Sequence, residues 1–258
     1  MNRLRNVTRQ IGQSDWHWIA LLAAIIAGQC ETRVLFAAET APIVVREPTV
    51  THGWTLYLSR ALLDQEPQRT GRAVELLGKQ LQEIKRVVPP RAVSELQKVP
   101  LYFNPQYPKV APRAEYHPNV NWLRENHRNP HMAKSIEFTN VLNFAEEQDR
   151  MPNFVLHELS HAFHDRVLPG GFANAELKAA YERGKRSGIY ATVERYHGRG
   201  NGTTREQAYG MSNPMEYFAE SSEAFFGRND FYPFTQGELL KHDPEMHALV
   251  GRLWGVGR

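Results

Sequence analysis

The chain has one cysteine in 258 residues, Cys30, so it cannot close an internal disulfide. Core packing or a bound ion must hold its fold together. It lacks an unbroken run of about 20 apolar residues, the length that a membrane-spanning helix needs. No block of lysine or arginine stands out, and the net charge of +3 is scattered over 31 basic and 28 acidic residues. That distribution does not provide a nucleic-acid footprint. Internal repeats and low-complexity tracts are absent too, which excludes solenoid arrays. What remains, 41% apolar and 23% charged, is the composition of an ordinary globular protein.

The N-terminus stands apart. Arg3, Arg5 and Arg9 precede an apolar stretch over residues 16–27, broken by His17. A polar patch and then Val34-Leu35-Phe36-Ala37-Ala38 follow. A positive segment, a short apolar segment and small residues at the end are the parts of a secretory signal. Cleavage after Ala38 fits, as does cleavage at Ile26-Ala27-Gly28, and an uncleaved anchor is the alternative. Cys30 lies within this segment behind Gln29, which is bulkier than the residue before a lipid-modified cysteine, and it reads as incidental. Residues 1–38 carry four basic and two acidic residues, so their removal brings the net charge to +1. The expectation is an exported protein, secreted or periplasmic, with a signal over 1–38 and one domain over 39–258.

Further along, residues 42–48 read as an extended lead-in and residues 53–58 as a strand rich in aromatic and β-branched residues. Apolar positions at helical spacing place a helix over residues 65–88, stopped by Pro89-Pro90, with a short helix to follow. Residues 99–103 and 135–138 read as strands. Residues 107–130, with few periodic apolar positions, read as a long ordered loop, a candidate cover for the cleft. Helices are expected over 141–148, from Pro152 through Phe163, over 173–187, from Pro214 and over 243–254. Strands first and helices after favour α+β over a doubly wound sheet.

The segment that carries chemistry is His157-Glu158-Leu159-Ser160-His161. Residues four apart share a helix face, so two imidazoles can reach one metal ion. Glu158, one position away, can approach a water on that ion and take its proton. Val155, Leu156, Leu159 and Ala162 would bury the rest of the helix. A catalytic zinc needs a third protein ligand and an open position. The candidate is on Asn213-Pro214-Met215-Glu216-Tyr217-Phe218-Ala219-Glu220, where Glu216 and Glu220 stand one turn apart. One can ligate while the other accepts the free N–H of a ligating histidine, and Glu223 continues the stripe. Zinc, one ion, is preferred to manganese or cobalt on the ligand types.

The run from Tyr209 to Glu220, with a tyrosine seven residues before a glutamate and then Tyr217-Phe218-Ala219-Glu220, resembles the second motif of the anthrax lethal factor-like metallopeptidases. Together with the HExxH helix, the resemblance covers about 25 residues. It implies a zincin-like domain, mostly helical with a small sheet, in which Glu216 is the third ligand. It also implies that Tyr209 donates a hydrogen bond to the oxyanion. Two features depart from the family. An aspartate expected seven residues after the first histidine is His164 here, followed by Asp165, and nothing before residue 140 matches. His164 faces the same side as His157 and His161 and is assigned a supporting or core role. A third histidine of the metzincin kind is missing, because position 167 is Val167. His117, His127 and His131 read as loop packing, without acidic or cysteine partners for a second metal. Phe225, Phe226, Phe231, Tyr232 and Phe234 read as core in preference to a substrate shelf.

The expected activity is therefore hydrolysis of peptide or protein substrates by a zinc metallopeptidase, with Glu158 as general base. Two rivals remain open: a metal- or partner-binding protein that keeps the scaffold without turnover, and a hydrolase acting on another amide, such as one in a cell wall.

Overall fold

The computed structural model describes residues 45–257, so the expected signal over 1–38 and the isolated Cys30 lie outside the described residues. The elements in chain order are β1 (Arg46–Thr51), β2 (Trp54–Ser59), α1 (Arg60–Gln65), α2 (Pro67–Val87), α3 (Pro90–Leu96), β3 (Leu101–Phe103), β4 (Ala114–Tyr116), α4 (Val120–Glu125) and β5 (Ile136–Phe138). There follow α5 (Phe144–Arg150), α6 (Phe154–Arg166), α7 (Ala175–Ser187), β6 (Val193–Tyr196), β7 (Thr203–Glu206), α8 (Pro214–Phe226), α9 (Gln236–His242) and α10 (Pro244–Trp254). The fold is mixed α and β, with helices outnumbering a small sheet.

That sheet has the order β1-β2-β3-β5-β4. Its centre is parallel, with Leu56 opposite Leu101 and Leu101 opposite Ile136, while β1 and β4 run antiparallel at the two edges. Side chains alternate across a strand. Leu56, Leu101, Phe103, Ile136 and Phe138 turn one way into the main core and are fully buried. There Phe138, Phe144 and Phe154 meet edge to face or tilted at centroid separations of 4.8 to 6.1 Å, pairs that contribute about 0.5–1.5 kcal/mol each beyond area burial. Tyr57, Tyr102 and Glu137 turn the other way. Tyr102 stacks on Tyr57 at 4.7 Å and joins Leu123 and Met132 in a second small cluster.

Two expectations change at this level. Residues 107–130 are not a plain loop but contain β4 and α4, which dress the sheet edge and its second face. The strand is only three residues long, too short for a periodic signal, and its partner is supplied from 20 to 24 positions downstream. Pro152 does not open a helix: it sits in the turn before α6, whose first helical residue is Phe154. By contrast Pro67, Pro90, Pro214 and Pro244 stand in the first turns of α2, α3, α8 and α10, where a missing N–H costs nothing. The lead-in continues as β1, and the glycine-rich turn over 198–202 closes a β6-β7 hairpin.

Candidate metal centre

Helices α6 and α8 pack together, and the residues at their contact are small. Ser160, Ala219 and Ser222 are fully buried, and both serines turn their hydroxyls back onto helix carbonyls, Leu156 O and Phe218 O, at 2.7 Å. Those satisfied hydroxyls let the two backbones approach without orphaned polar groups. Trp254 of α10 closes the packing, stacking on Phe163 at 4.0 Å and donating its indole N–H to Ser222 Oγ at 3.0 Å.

Val155, Leu156, Leu159 and Ala162 anchor α6, and the face left over presents His157 and His161. On α8, Asn213 is the N-cap: its side chain accepts from the backbone N–H of Met215 and of Glu216, both at 2.9 Å. The cap fixes the turn that carries Glu216. As a result His157 Nε2 lies 3.1 Å from His161 Nε2 and 3.1 Å from Glu216 Oε2, with His161 Nε2 to Glu216 Oε2 at 3.3 Å.

The donor chemistry of these atoms fits a cation. The other nitrogen of His157, Nδ1, faces Glu223 Oε1 at 2.7 Å. Nδ1 then carries the ring proton, which leaves Nε2 with a lone pair aimed at the lone pairs of His161 and Glu216. Three such atoms gathered at one point repel one another unless positive charge stands among them. The protonation energetics say the same. Burial disfavours the charged form of His157, yet hydrogen bonds to Glu216 and Glu223 outweigh it and hold the imidazole well above its usual range. Burial alone would also raise Glu216, but hydrogen bonds to His157 and His161 bring it well below the usual carboxylate range. A proton held between them answers the demand that a divalent ion would meet.

Glu158 is the neighbour of His157 and faces the same cleft. Its Oε2 accepts the backbone N–H of Tyr116 on β4 at 2.8 Å, so the sheet edge orients it. Burial pushes its pKa up, against the pull of His157 and His161. The cleft has a volume of about 430 Å³ and is walled by β4 residues, His117, Trp122, Phe172 and Met215 around the metal group. Tyr209, in the short turn before α8, lines it with about half its surface exposed. Burial of the other half and the charge of Glu216 raise its hydroxyl pKa, which keeps the proton on it.

Three expectations are corrected here. The carboxylate on the free side of His157 is Glu223, two turns beyond Glu216, and not Glu220, which accepts from Asn229 Nδ2 at 2.9 Å. His164 does not support the centre. Its ring is fully buried with Phe172 and Phe218 at centroid distances of 5.1 and 5.4 Å, so it is a core residue. Asp165 is equally removed, receiving the Tyr116 hydroxyl at 2.6 Å and the Lys134 ammonium at 2.5 Å. The third correction concerns His117, which does have acidic partners: its Nε2 is 2.9 Å from the buried Glu137, and Glu115 is nearby. The cation of that group is already in the chain, since Arg128 Nη1 pairs with both Glu115 and Glu137. Opposing the desolvation, hydrogen bonds from His117, Asn104 and Tyr107 hold Glu137 below its usual range.

Neither a family model nor a curated protein matches the sequence. Among solved structures the chain has a likeness to one of a peptidase. It is the Pro-Pro endopeptidase PPEP-2 from Paenibacillus alvei, at 16% identity over 71% of this chain and 90% of that one, with a TM-score of 0.43. The functional reading therefore rests on the side chains of this chain.

Sequence reasoning did not pick out the Tyr116 amide, because a backbone group has no signature. Glu223 was within reach: it stands seven residues after Glu216, close to two full turns, and so on the same face.

Proposed function

We propose that the chain is a zinc-dependent peptidase. The observation that carries this reading is the convergence of His157 Nε2, His161 Nε2 and Glu216 Oε2 while His157 Nδ1 is committed to Glu223. Two imidazoles and one carboxylate form a donor set of catalytic zinc with a position left open. When bound, the ion supplies Lewis acidity for the peptide carbonyl and for the attacking water.

The remaining steps belong to the chain itself. Glu158, kept basic by burial and aimed by the Tyr116 amide, takes the proton of the water and passes it to the leaving amine. The Tyr209 hydroxyl, with its proton held at neutral pH, donates to the oxygen on which negative charge develops. Strand β4 aligns the substrate. Arg113 and His117 turn their backbone groups toward the β5 side, so Ala114 and Tyr116 turn theirs outward at the sheet edge, where the Tyr116 N–H is held by Glu158 and the Ala114 groups and the Tyr116 carbonyl face the cleft side. An extended peptide can add to that edge, within reach of Glu158.

The test is cleavage of a diverse peptide library by the zinc-loaded chain, with Glu158→Gln as control. Cuts made by the wild type alone support a peptidase. No cuts by either, with one zinc per chain confirmed, favour a binding protein that retains the scaffold. His161→Ala or Glu216→Ala binding zinc as tightly as the wild type would overturn the ligand set.

A further inference from the structure

The cleft does not end at the metal group. Beyond Glu158 and Tyr209 it opens into a second chamber of about 230 Å³, which shares Arg113, Ala114, His157, Glu158 and Tyr209 with the main cleft. The chamber has apolar walls of Met151, Phe154 and Phe231. Three guanidinium groups enter it from three different places in the chain. Arg113 stands just before β4, Arg150 ends α5, and Arg195 lies on β6.

Four carboxylates line the chamber, and their commitments decide what the arginines have left. Glu158 accepts the Tyr116 amide. Glu147 is taken by Arg150, through Nη2 at 2.6 Å and Nε at 3.3 Å. Glu220 accepts from Asn229. Asp230 is divided between Arg150 at 3.4 Å and Arg195 at 3.6 Å, short contacts with neither. Arg195 approaches Glu206 only at 3.6 Å, and its Nε has no hydrogen-bond partner. Arg113 reaches Glu115 at 3.7 Å and the Ala111 carbonyl at 3.4 Å. A guanidinium offers five N–H donors in a planar fork, and the nearest carboxylates of Arg113 and Arg195 stand at 3.7 and 3.6 Å, so both keep Nη donors for a ligand in a chamber that borders Glu158 and Tyr209. Arg195 is also held in place, its guanidinium 4.6 Å from the centre of the Phe231 ring. Pro118, Trp122, Phe172 and Met215 line the main cleft and not this chamber.

We propose that this chamber is a specificity subsite for a carboxylate of the substrate, placed one or two residues from the scissile bond and gripped by Arg113 and Arg195. The inference rests on the peptidase reading and adds a substrate class to it. Arg150 stays with Glu147 and Asp230 and is not part of the grip. The apolar walls take the methylenes of a glutamate side chain. Two carboxylates satisfy this chemistry, that of an acidic side chain and that of a free C-terminus.

The test compares matched peptides carrying Glu, Gln or Lys at each of the two positions on either side of the cut, with the C-terminus free or amidated. The zinc-loaded chain is expected to prefer Glu over Gln at one of these positions by about tenfold in kcat/KM, the worth of one charge-assisted pair. If the free C-terminus is the ligand, amidation removes a preference of the same size. Arg195→Gln and Arg113→Gln, with zinc content and melting temperature as in the wild type, are expected to bring that ratio close to one. Cleavage without a preference, or a preference unchanged in both variants, overturns the subsite and leaves the peptidase reading standing. If nothing is cleaved, calorimetric binding of the same peptides reads the ratio directly. A charge preference in binding that Arg195→Gln abolishes supports the subsite even then, and equal binding of Glu and Gln peptides overturns it.

Discussion

Both ring nitrogens of His157 are engaged, Nε2 toward His161 and Glu216 and Nδ1 toward Glu223. Burial pushes Glu223 up to about 7, which makes its carboxylate a strong acceptor for the imidazole proton. Glu223→Gln preserves the shape but weakens that acceptor. Zinc affinity is expected to fall ten- to a hundredfold, roughly the effect of losing an orienting partner, as read by chelator competition with the fold unchanged by circular dichroism. His164 gives a prediction of a different kind. Burial lowers its pKa from 6.5 to about 4, so the folded chain keeps it neutral where the unfolded chain takes up a proton. Its contribution to stability is complete above pH 6.5 and is lost as pH falls from 6.5 toward 4. The loss is about 3 kcal/mol over that window. Urea unfolding of the wild type and His164→Gln across the window checks it: the variant should lose less stability than the wild type on acidification.

At the scale of elements, the short devices at helix ends and strand edges position the centre. Asn213→Ala removes the cap of the turn that carries Glu216, and is expected to cost about 1 kcal/mol of stability, with a weaker hold on zinc than in the wild type. Gly171 adopts φ +52°, and a Cβ there would meet the Asp165 carbonyl oxygen at 2.8 Å. Gly171→Ala is therefore expected to destabilise the turn after α6 by more than 1 kcal/mol, measured as a lower melting temperature. Glu137 is the buried hub of the 107–130 segment, bonded by Tyr107, His117, Asn104 and Arg128. Glu137→Leu leaves Arg128 with Glu115 alone and strands the donors of Asn104, Tyr107 and His117, and is expected to cost about 3–5 kcal/mol. The sequence made α2, α6 and α8 legible, because each has apolar residues on a 3.6 period bounded by prolines. It did not make β4 legible, since three residues carry no period and the pairing that creates the strand is non-local.

For the whole molecule, the described residues contain no cysteine, and the candidate ligands His157, His161 and Glu216 bridge α6 and α8. A ligand that binds only the folded state stabilises it by mass action. With zinc at a hundred times its dissociation constant, that amounts to about 2.7 kcal/mol, or about 5 to 10 °C in melting temperature for a domain of this size. Stripping the metal with a chelator is expected to lower the melting temperature by that amount. Restoring zinc should recover it in the wild type and not in His161→Ala.

By itself the sequence determined the pieces whose meaning is local: the His157-Glu158-Leu159-Ser160-His161 spacing on a helix, the helix from Pro214 bearing Glu216, and the proline and apolar patterns that start and stop the long helices. Helical spacing is a property of consecutive residues, so no tertiary information is needed to read it. Tertiary structure alone decided that Glu223 and not Glu220 meets His157, that His164 is core, and that Glu137 gives His117 an acidic partner. The same holds for Arg113, Arg150 and Arg195 opening onto one chamber. Each of these depends on how two elements distant in sequence cross or pair, and packing, not spacing, fixes that geometry.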